Sequence, residues 1–373
     1  MAEPTYPVAA RVADSVQRHF ARHIEAARHA HAEVVCDAPS TATIAAIIDA
    51  AFWASLRREE GHTPKISLAI LPPAAARHCA RLAARLPLTP AGLAKVAPAV
   101  ERPGIHLGVW HDGDSYYVWG TTRDVPAFCL VVEVVASGLV VVKHRTEAFG
   151  KFVNVAVLEG DHIKIVDEGV GRIVPDCPGI VTSLAGAIDQ RSASGVTTVL
   201  IQLAASMRQH GRGGALLVVP AASDAWQESM VMPILYRVDP PYSELADLMR
   251  MSQADPDDLK RAVDAIAGLT AVDGATILND RYDLLAFGAK IARRRGSTPI
   301  EQVNITEPVE GSTAVSATPA QLGGTRHLSA AQFVHDQRDA MALVASQDGR
   351  FTIFKWSNRE QLVHAHRVDA LLL

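Results

Sequence analysis

The chain has 373 residues, enough for about two domains at ~150 residues each. With 49% hydrophobic and 20% charged residues it can build a packed core, which excludes global disorder. A net charge of −4 leaves no basic footprint for bulk nucleic-acid binding, and 5% aromatic content argues against a stacking platform for single strands.

The first residues, Met-Ala-Glu-Pro running into Arg18, His19, Arg22, His23 and Arg28, contain no apolar stretch of the kind that drives secretion. Residues 8–34 carry apolar side chains at helical spacing, with Val12, Val16, Phe20 and Ile24 on one face. His19 and His23 stand four apart, a spacing that can place two imidazoles on one side of a helix. With no HExxH and no further ligand beside them, they read as part of a solvated polar face.

Ser40-Thr41 opens a second helix through Ile44, Ile47, Ile48, Ala51, Phe52 and Leu56, and Gly61 suits the residue after its end. Residues 65–71 read as a strand stopped by Pro72-Pro73, and residues 74–97 as helical, split at Pro87 and Pro90.

From about 104 to 170 the pattern changes to short β-rich runs at 104–110, 116–120, 128–135, 139–144, 153–158 and 162–166. Asp112-Gly113-Asp114 between the first two is a hairpin signal. The Val125–Val142 stretch holds Glu133 and is broken at Ser137-Gly138, so two buried strands are expected there rather than a spanning helix. Cys36, Cys79, Cys129 and Cys177 are too widely spaced for a CxxC knuckle, which favours a reducing, cytoplasmic setting. These features predict an N-terminal domain, 1–182, of helices plus a smaller antiparallel sheet.

A second domain, 183–373, is expected to be α/β. Val196, Leu200, Leu203, Ala204 and Met207 mark a helix, followed by His210-Gly211-Arg212-Gly213-Gly214 and the continuous apolar run Ala215–Val219 of a buried central strand. Helices are predicted near 242–252, 256–268 and 325–338. Strands are predicted at 272–278, 283–291, 340–345 and 350–356, the last two joined by Ser346-Gln347-Asp348-Gly349. Residues 295–323, rich in Gly, Ser, Thr and Pro, read as a long surface loop. Arg293-Arg294-Arg295 at its entrance reads as solvated charge.

Two constellations here carry chemistry. Asp273-Gly274-Ala275 places a carboxylate at a strand start, followed by a glycine that permits close backbone approach. Gly323-Gly324-Thr325-Arg326-His327 precedes a helix, whose leading N–H groups and dipole favour an anion. Thr325 adds a hydroxyl, Arg326 a planar phosphate fork and His327 a further donor.

Ala215–Val219, Asp273-Gly274-Ala275, Phe287-Gly288-Ala289-Lys290, Gly324-Thr325-Arg326-His327 and the Ser346–Gly349 hairpin, in this order, resemble the diadenylate cyclase (DAC) domain over roughly residues 190–358. The resemblance implies a mixed central sheet flanked by helices and a site for ATP or an adenine dinucleotide. It implies that Asp273 acts with Mg²⁺ or Mn²⁺ on the ribose hydroxyl, with Asp348 as a further metal ligand. Gly274 and Ala275 would lie against the nucleotide, and Gly324, Thr325, Arg326, His327 and Ser329 would grip phosphate. It also implies a homodimer, since two such domains face each other in turnover.

The sequence departs from the family pattern where a second arginine is replaced by Leu328, the next alanine by Ser329, and one of two acids by Gln347. Losing one phosphate-facing guanidinium removes ~1.5–3 kcal/mol if the contact is desolvated. Binding can survive such losses while turnover suffers. The layout, with Phe52–Gly61 and Gly211–Pro220, resembles DACNV-type probable sensor proteins, which implies nucleotide sensing in bacterial signalling. The expectation is therefore a nucleotide sensor, with an active diadenylate cyclase as the alternative. Neither reading involves a membrane or direct nucleic-acid contact.

Overall fold

In the computed structural model, residues 4–30, 36–113, 115–145, 152–174, 176–186, 195–251 and 254–373 are described. Asp114 of the expected hairpin, residues 31–34 of the expected first helix and residues 190–194 of the resembling stretch lie outside them. The chain divides into two compact units, Met1–Val166 and Asp167–Leu372. Residues 167–182, placed with the N-terminal domain on sequence grounds, belong to the second unit.

In the first unit, helix α1 (Pro7–His29) starts with proline, whose missing N–H costs nothing at a helix start. It buries Val8, Val12, Val16, Phe20 and Ile24, the row set by helical spacing. His19 is buried with them, at 7% exposure, so this part of the face is not solvated as the spacing suggested. Helix α2 (Thr41–Ser55) is capped by Ser40, whose Oγ accepts from the Thr43 N–H at 3.1 Å.

Both helices share an apolar core with the sheet formed by β1 (Ile66–Ile70), β2 (Cys79–Pro87), β3 (His106–Asp112), β4 (Ser115–Thr122), β5 (Val131–Ala136), β6 (Leu139–Arg145), β7 (Phe152–Glu159) and β8 (His162–Ile165). The described strands run in the order β2-β4-β3-β1-β5-β6-β7-β8. β1 and β3 are parallel, which makes the sheet mixed rather than wholly antiparallel.

Residues 79–87 are the other departure: they pair antiparallel with β4 instead of continuing a helix. Their Ala, Leu and Arg side chains favour a helix locally, but β4 would otherwise be the edge and its backbone groups take the strand as partner. The first helical turn after them is α3 (Pro90–Val96). Val131, Val132, Val134 and Val140–Val142 are buried across the β5–β6 hairpin, as the valine-rich run predicted. Among the described residues no helix is long and apolar enough to cross a membrane.

The second unit begins with two short helices, α4 (Val170–Ile173) and α5 (Gly179–Leu184), then α6 (Gly195–Gln209). Its strands are β9 (Gly214–Val219), β10 (Tyr236–Tyr242), β11 (Ala275–Asn279), β12 (Leu284–Ala289), β13 (Val303–Thr306), β14 (Val315–Ala317), β15 (Met341–Ala345), β16 (Phe351–Ser357) and β17 (Leu362–Arg367). Helices α7 (Glu244–Arg250), α8 (Pro256–Leu269) and α9 (Thr325–Asp336) complete it.

The described strands form one mixed sheet in the order β10-β12-β11-β9-β15-β16-β17-β13-β14. Central β9 is buried along its whole length, parallel to β11 and antiparallel to β15. That is the environment in which an uninterrupted apolar run is stable.

Residues 295–323 are not a plain loop. β13 joins the sheet parallel to β17 and β14 pairs with β13. Two side chains of α9 hold the approach to them. Asp336 accepts from the Arg294 N–H at 2.8 Å and the Ser297 hydroxyl at 2.5 Å, and Gln332 accepts from the Ile300 N–H at 2.8 Å.

Candidate functional site

β9 and β11 start at the same end of the sheet where antiparallel β12 and β15 finish. The N-terminus of α9 arrives there too. A cavity of about 560 Å³ opens at this end, lined by Ala215, Asp273, Gly274, Ala275, Lys290, Gly324, Thr325, Arg326, His327, Ser329, Ser346 and Gln347, among others. The size falls within the ~300–1,000 Å³ of small-molecule sites. Motifs some fifty residues apart in sequence thus line one hollow because a parallel pair and a helix start share one end of the sheet.

Asp273 precedes β11 and points its carboxylate at Lys290, just past β12, with 2.5 Å between Oδ2 and Nζ. Lys290 also donates to the Asp273 carbonyl at 3.4 Å. The Lys290 hydrogen bond first, then its charge and that of Arg326, hold the Asp273 carboxyl below the usual carboxylate range. Lys290 ends the Phe287–Lys290 stretch that belongs to the family resemblance, which gave it no role at the site. Its placement opposite Asp273 was available only from the β11–β12 pairing.

Gly274 has a specific structural reason to be glycine. Its φ is +121° and an added Cβ would lie 2.4 Å from the Gly288 carbonyl carbon. The bare α-carbon therefore admits the neighbouring strand, and Gly274 also lines the cavity. Gly288 is itself at φ +58°, against the Tyr236 ring, which stacks on Phe287.

Helix α9 is capped by Gly324 with no side-chain hydrogen bond; the His327 N–H bonds the Gly324 carbonyl at 3.0 Å, which leaves the N–H groups ahead of it at the cavity end. Arg326 lies over Gly213: a Cβ there would sit 3.1 Å from Nη1 and 3.2 Å from the Ala345 carbonyl oxygen. Its Nε is buried without a hydrogen-bond partner among the described residues. His327 is buried, and its Nε2 likewise has no partner. Burial pushes the imidazole pKa down, and the nearby Asp348 charge opposes that shift. His327 is thus a neutral ring. Lys290 and Arg326 against Asp273, together with a helix N-terminus, give the hollow a net preference for anions.

Asp348 does not line this cavity. It closes the β15–β16 hairpin, accepting from the Arg350 N–H at 3.3 Å and facing the Arg350 guanidinium at 3.4 Å. Ser346 and Gln347 take the lining positions instead, and Gln347 donates to the Arg212 carbonyl at 3.3 Å. Arg294 pairs with Glu228 at 2.7 Å and lines a separate cavity beside Trp226 and Arg338, not this one.

The donor set does not fit a protein-held Mg²⁺ or Mn²⁺. Its one carboxylate is engaged by Lys290. Among the described residues no trio of His, Cys, Asp or Glu ligand atoms converges at this cavity. Such ions need several oxygen ligands in near-octahedral geometry.

A family model described as "Probable sensor domain DACNV" matches residues 33–123. The matched range contains α2, α3 and β1–β4, all in the first unit. Of the two stretches that resembled this family, Phe52–Gly61 lies inside the match and Gly211–Pro220 outside it. No curated protein matches the chain.

Proposed function

We propose that the chain is a sensor whose second unit binds a phosphate-bearing adenine nucleotide or cyclic dinucleotide. The observation that carries this reading is the convergence of Asp273-Gly274-Ala275, Lys290 and Gly324–His327 on one hollow of nucleotide size. Lys290, Arg326 and the α9 N-terminus account for phosphate. The adenine preference rests on the resemblance of the motifs to diadenylate cyclase domains. The sensor role rests on the DACNV match in the first unit.

Turnover of two ATP to a cyclic dinucleotide is the second reading, favoured by Asp273 standing at the same hollow as Thr325 and Arg326. It requires Asp273 to leave Lys290, a divalent cation carried in by the nucleotide phosphates, and a second domain face to face in a homodimer. The ion pair and the position of Asp348 make binding without turnover the better fit.

Isothermal titration of the full chain with ATP and with c-di-AMP tests the first reading. Saturable binding of either supports it, and no heat with either at high micromolar concentration overturns it. Incubation with ATP and Mg²⁺ or Mn²⁺ tests the second: a cyclic product that disappears in Asp273→Asn establishes turnover.

A further inference from the structure

His19, on α1, and His144, near the end of β6, come from sequence positions far apart and meet in the interior of the first unit. Their Nε2 atoms are 2.9 Å apart, with His19 at 7% and His144 at 1% exposure. His23 lies one helical turn beyond His19. A ring nitrogen of His23 comes within 4.8 Å of one of His19. The three ring centroids form a triangle with sides of 4.4, 5.1 and 5.5 Å. Phe20 and Phe128 wall it, their rings 5.3 and 5.6 Å from that of His144.

The tautomers follow from the partners. The Nδ1 of His144 faces the Arg145 carbonyl at 2.9 Å, and a carbonyl only accepts, so Nδ1 carries the proton and Nε2 presents a lone pair. This is the arrangement that orients metal-bound imidazoles, with the second nitrogen donating to a backbone carbonyl. The lone pair of His144 now accepts from the Nε2–H of His19.

We infer that His19, His23 and His144 form a binding site for a divalent cation of the zinc class within the first unit. Imidazole nitrogens suit Zn²⁺, Co²⁺, Ni²⁺ and Cu²⁺. Two nitrogens on one tetrahedral zinc are about 3.3 Å apart, given bonds of about 2.0–2.1 Å. The His19–His144 gap therefore opens by a few tenths of an ångström, and half-buried His23 reaches in by side-chain rotation. On binding, the cation takes the place of the proton between the two Nε2 atoms, and that proton moves to the Nδ1 of His19. Three protein ligands leave a fourth position for water. Such a cation links α1 to β6 and adds its binding free energy to the stability of the unit.

The test uses the full chain, stripped with EDTA, dialysed and titrated with Co²⁺ alone. The expected result is the intense visible d–d absorption of a four-coordinate site, saturating at about one Co²⁺ per chain and displaced by Zn²⁺. His144→Gln and the partly exposed His23→Gln should each weaken Co²⁺ binding by about tenfold or more. His29→Gln, exposed on the same helix, should leave it unchanged. Far-UV circular dichroism of each variant verifies folding, and His23→Gln keeps the test decisive if His144→Gln unfolds. Absence of the d–d bands in folded wild-type protein overturns the site. Binding that survives His23→Gln undiminished, or falls equally in His29→Gln, overturns it as well.

Discussion

The Asp273 carboxylate and the Lys290 ammonium face each other at 2.5 Å across the β11–β12 hairpin, at the mouth of the second unit's cavity. Each neutralises part of the other, so the lysine is not fully available to an incoming phosphate. Asp273→Asn removes the competing anion and releases Lys290. Both side chains are well exposed, so solvent and salt screen the gain. We expect ATP or c-di-AMP to bind about threefold to tenfold more tightly to Asp273→Asn in low salt, and Lys290→Met to bind correspondingly less tightly. Isothermal titration reads both. Weaker binding by Asp273→Asn would show that the carboxylate itself contacts the ligand.

Arg326 offers a sharper measurement. Its Nε is buried with no hydrogen-bond partner among the described residues, and its Nη1 lies over Gly213, so a phosphate entering the cavity would satisfy a donor that the fold leaves open. Lysine keeps the charge but loses the fork. Arg326→Lys should cost about 1.5–3 kcal/mol of nucleotide affinity, roughly a ten- to 150-fold rise in Kd, with thermal stability little changed. Unaltered affinity would remove Arg326 from the phosphate contact.

These residues show what could be read before the fold was seen. Asp273, Gly274, Thr325, Arg326 and His327 were legible as one group because Asp-Gly-Ala and Gly-Thr-Arg-His occur in the order of the domain family they resemble, each stretch being weak by itself. Lys290 had no assigned role even though its stretch belongs to the resemblance, since only the pairing of its strand with the one after Asp273 sets the two side chains opposite each other. The chain also hid β13, whose four residues pair with β17, some sixty residues away in sequence, while Gln332 and Asp336 of α9 hold only the segment before it. β2 was concealed by helix-forming residues that a neighbouring strand overrides. His19 read as surface because its partner, His144, lies 125 residues away.

Gly274 carries a prediction about stability as well as binding. At φ +121°, with the Gly288 backbone where a Cβ would be, alanine must push β12 away from β11. Gly274→Ala should destabilise the second unit by more than the ~1 kcal/mol of an ordinary glycine replacement, and displace Lys290 from Asp273. Chemical denaturation measures the first effect and nucleotide titration the second. A variant as stable as wild type would show that the strands separate freely.

Acid should weaken both units. Burial lowers the pKa of His106 from 6.5 to about 4, helped by the charges of Lys143 and Arg145. In the second unit, burial and then His364 lower that of His366 to about 3. The unfolded chain therefore binds more protons than the folded one below the ordinary histidine pKa, so stability falls as pH drops. It is fully present above about pH 6.5 and is lost progressively toward about pH 4, at about 1.4 kcal/mol for each unit of depression. Thermal melts from about pH 7.5 to about pH 4.5 should show the decline, and His106→Asn should make it shallower for the first unit without abolishing it, since burial lowers the pKa of His19 there as well. A Tm independent of pH over this range would contradict the burial of both rings.

Within the range matched by the sensor-domain family, Gly108 is a tightly constrained position. It lies in extended backbone of β3, and a Cβ there would fall 2.1 Å from two atoms of the Trp119 ring on β4. The ring cannot easily give way: it is 4% exposed, and its Nε1 donates to the Leu71 carbonyl at 3.0 Å. Gly108→Ala should cost about 1–3 kcal/mol through overpacking, a fall of roughly 2–12 °C in the Tm of the first unit. Trp119→Leu alone should also destabilise, by leaving a cavity. The double variant Gly108→Ala with Trp119→Leu should be more stable than the two single costs add to, since the smaller side chain vacates the space that the new methyl takes. Strict additivity would mean that the ring and the glycine are not in contact.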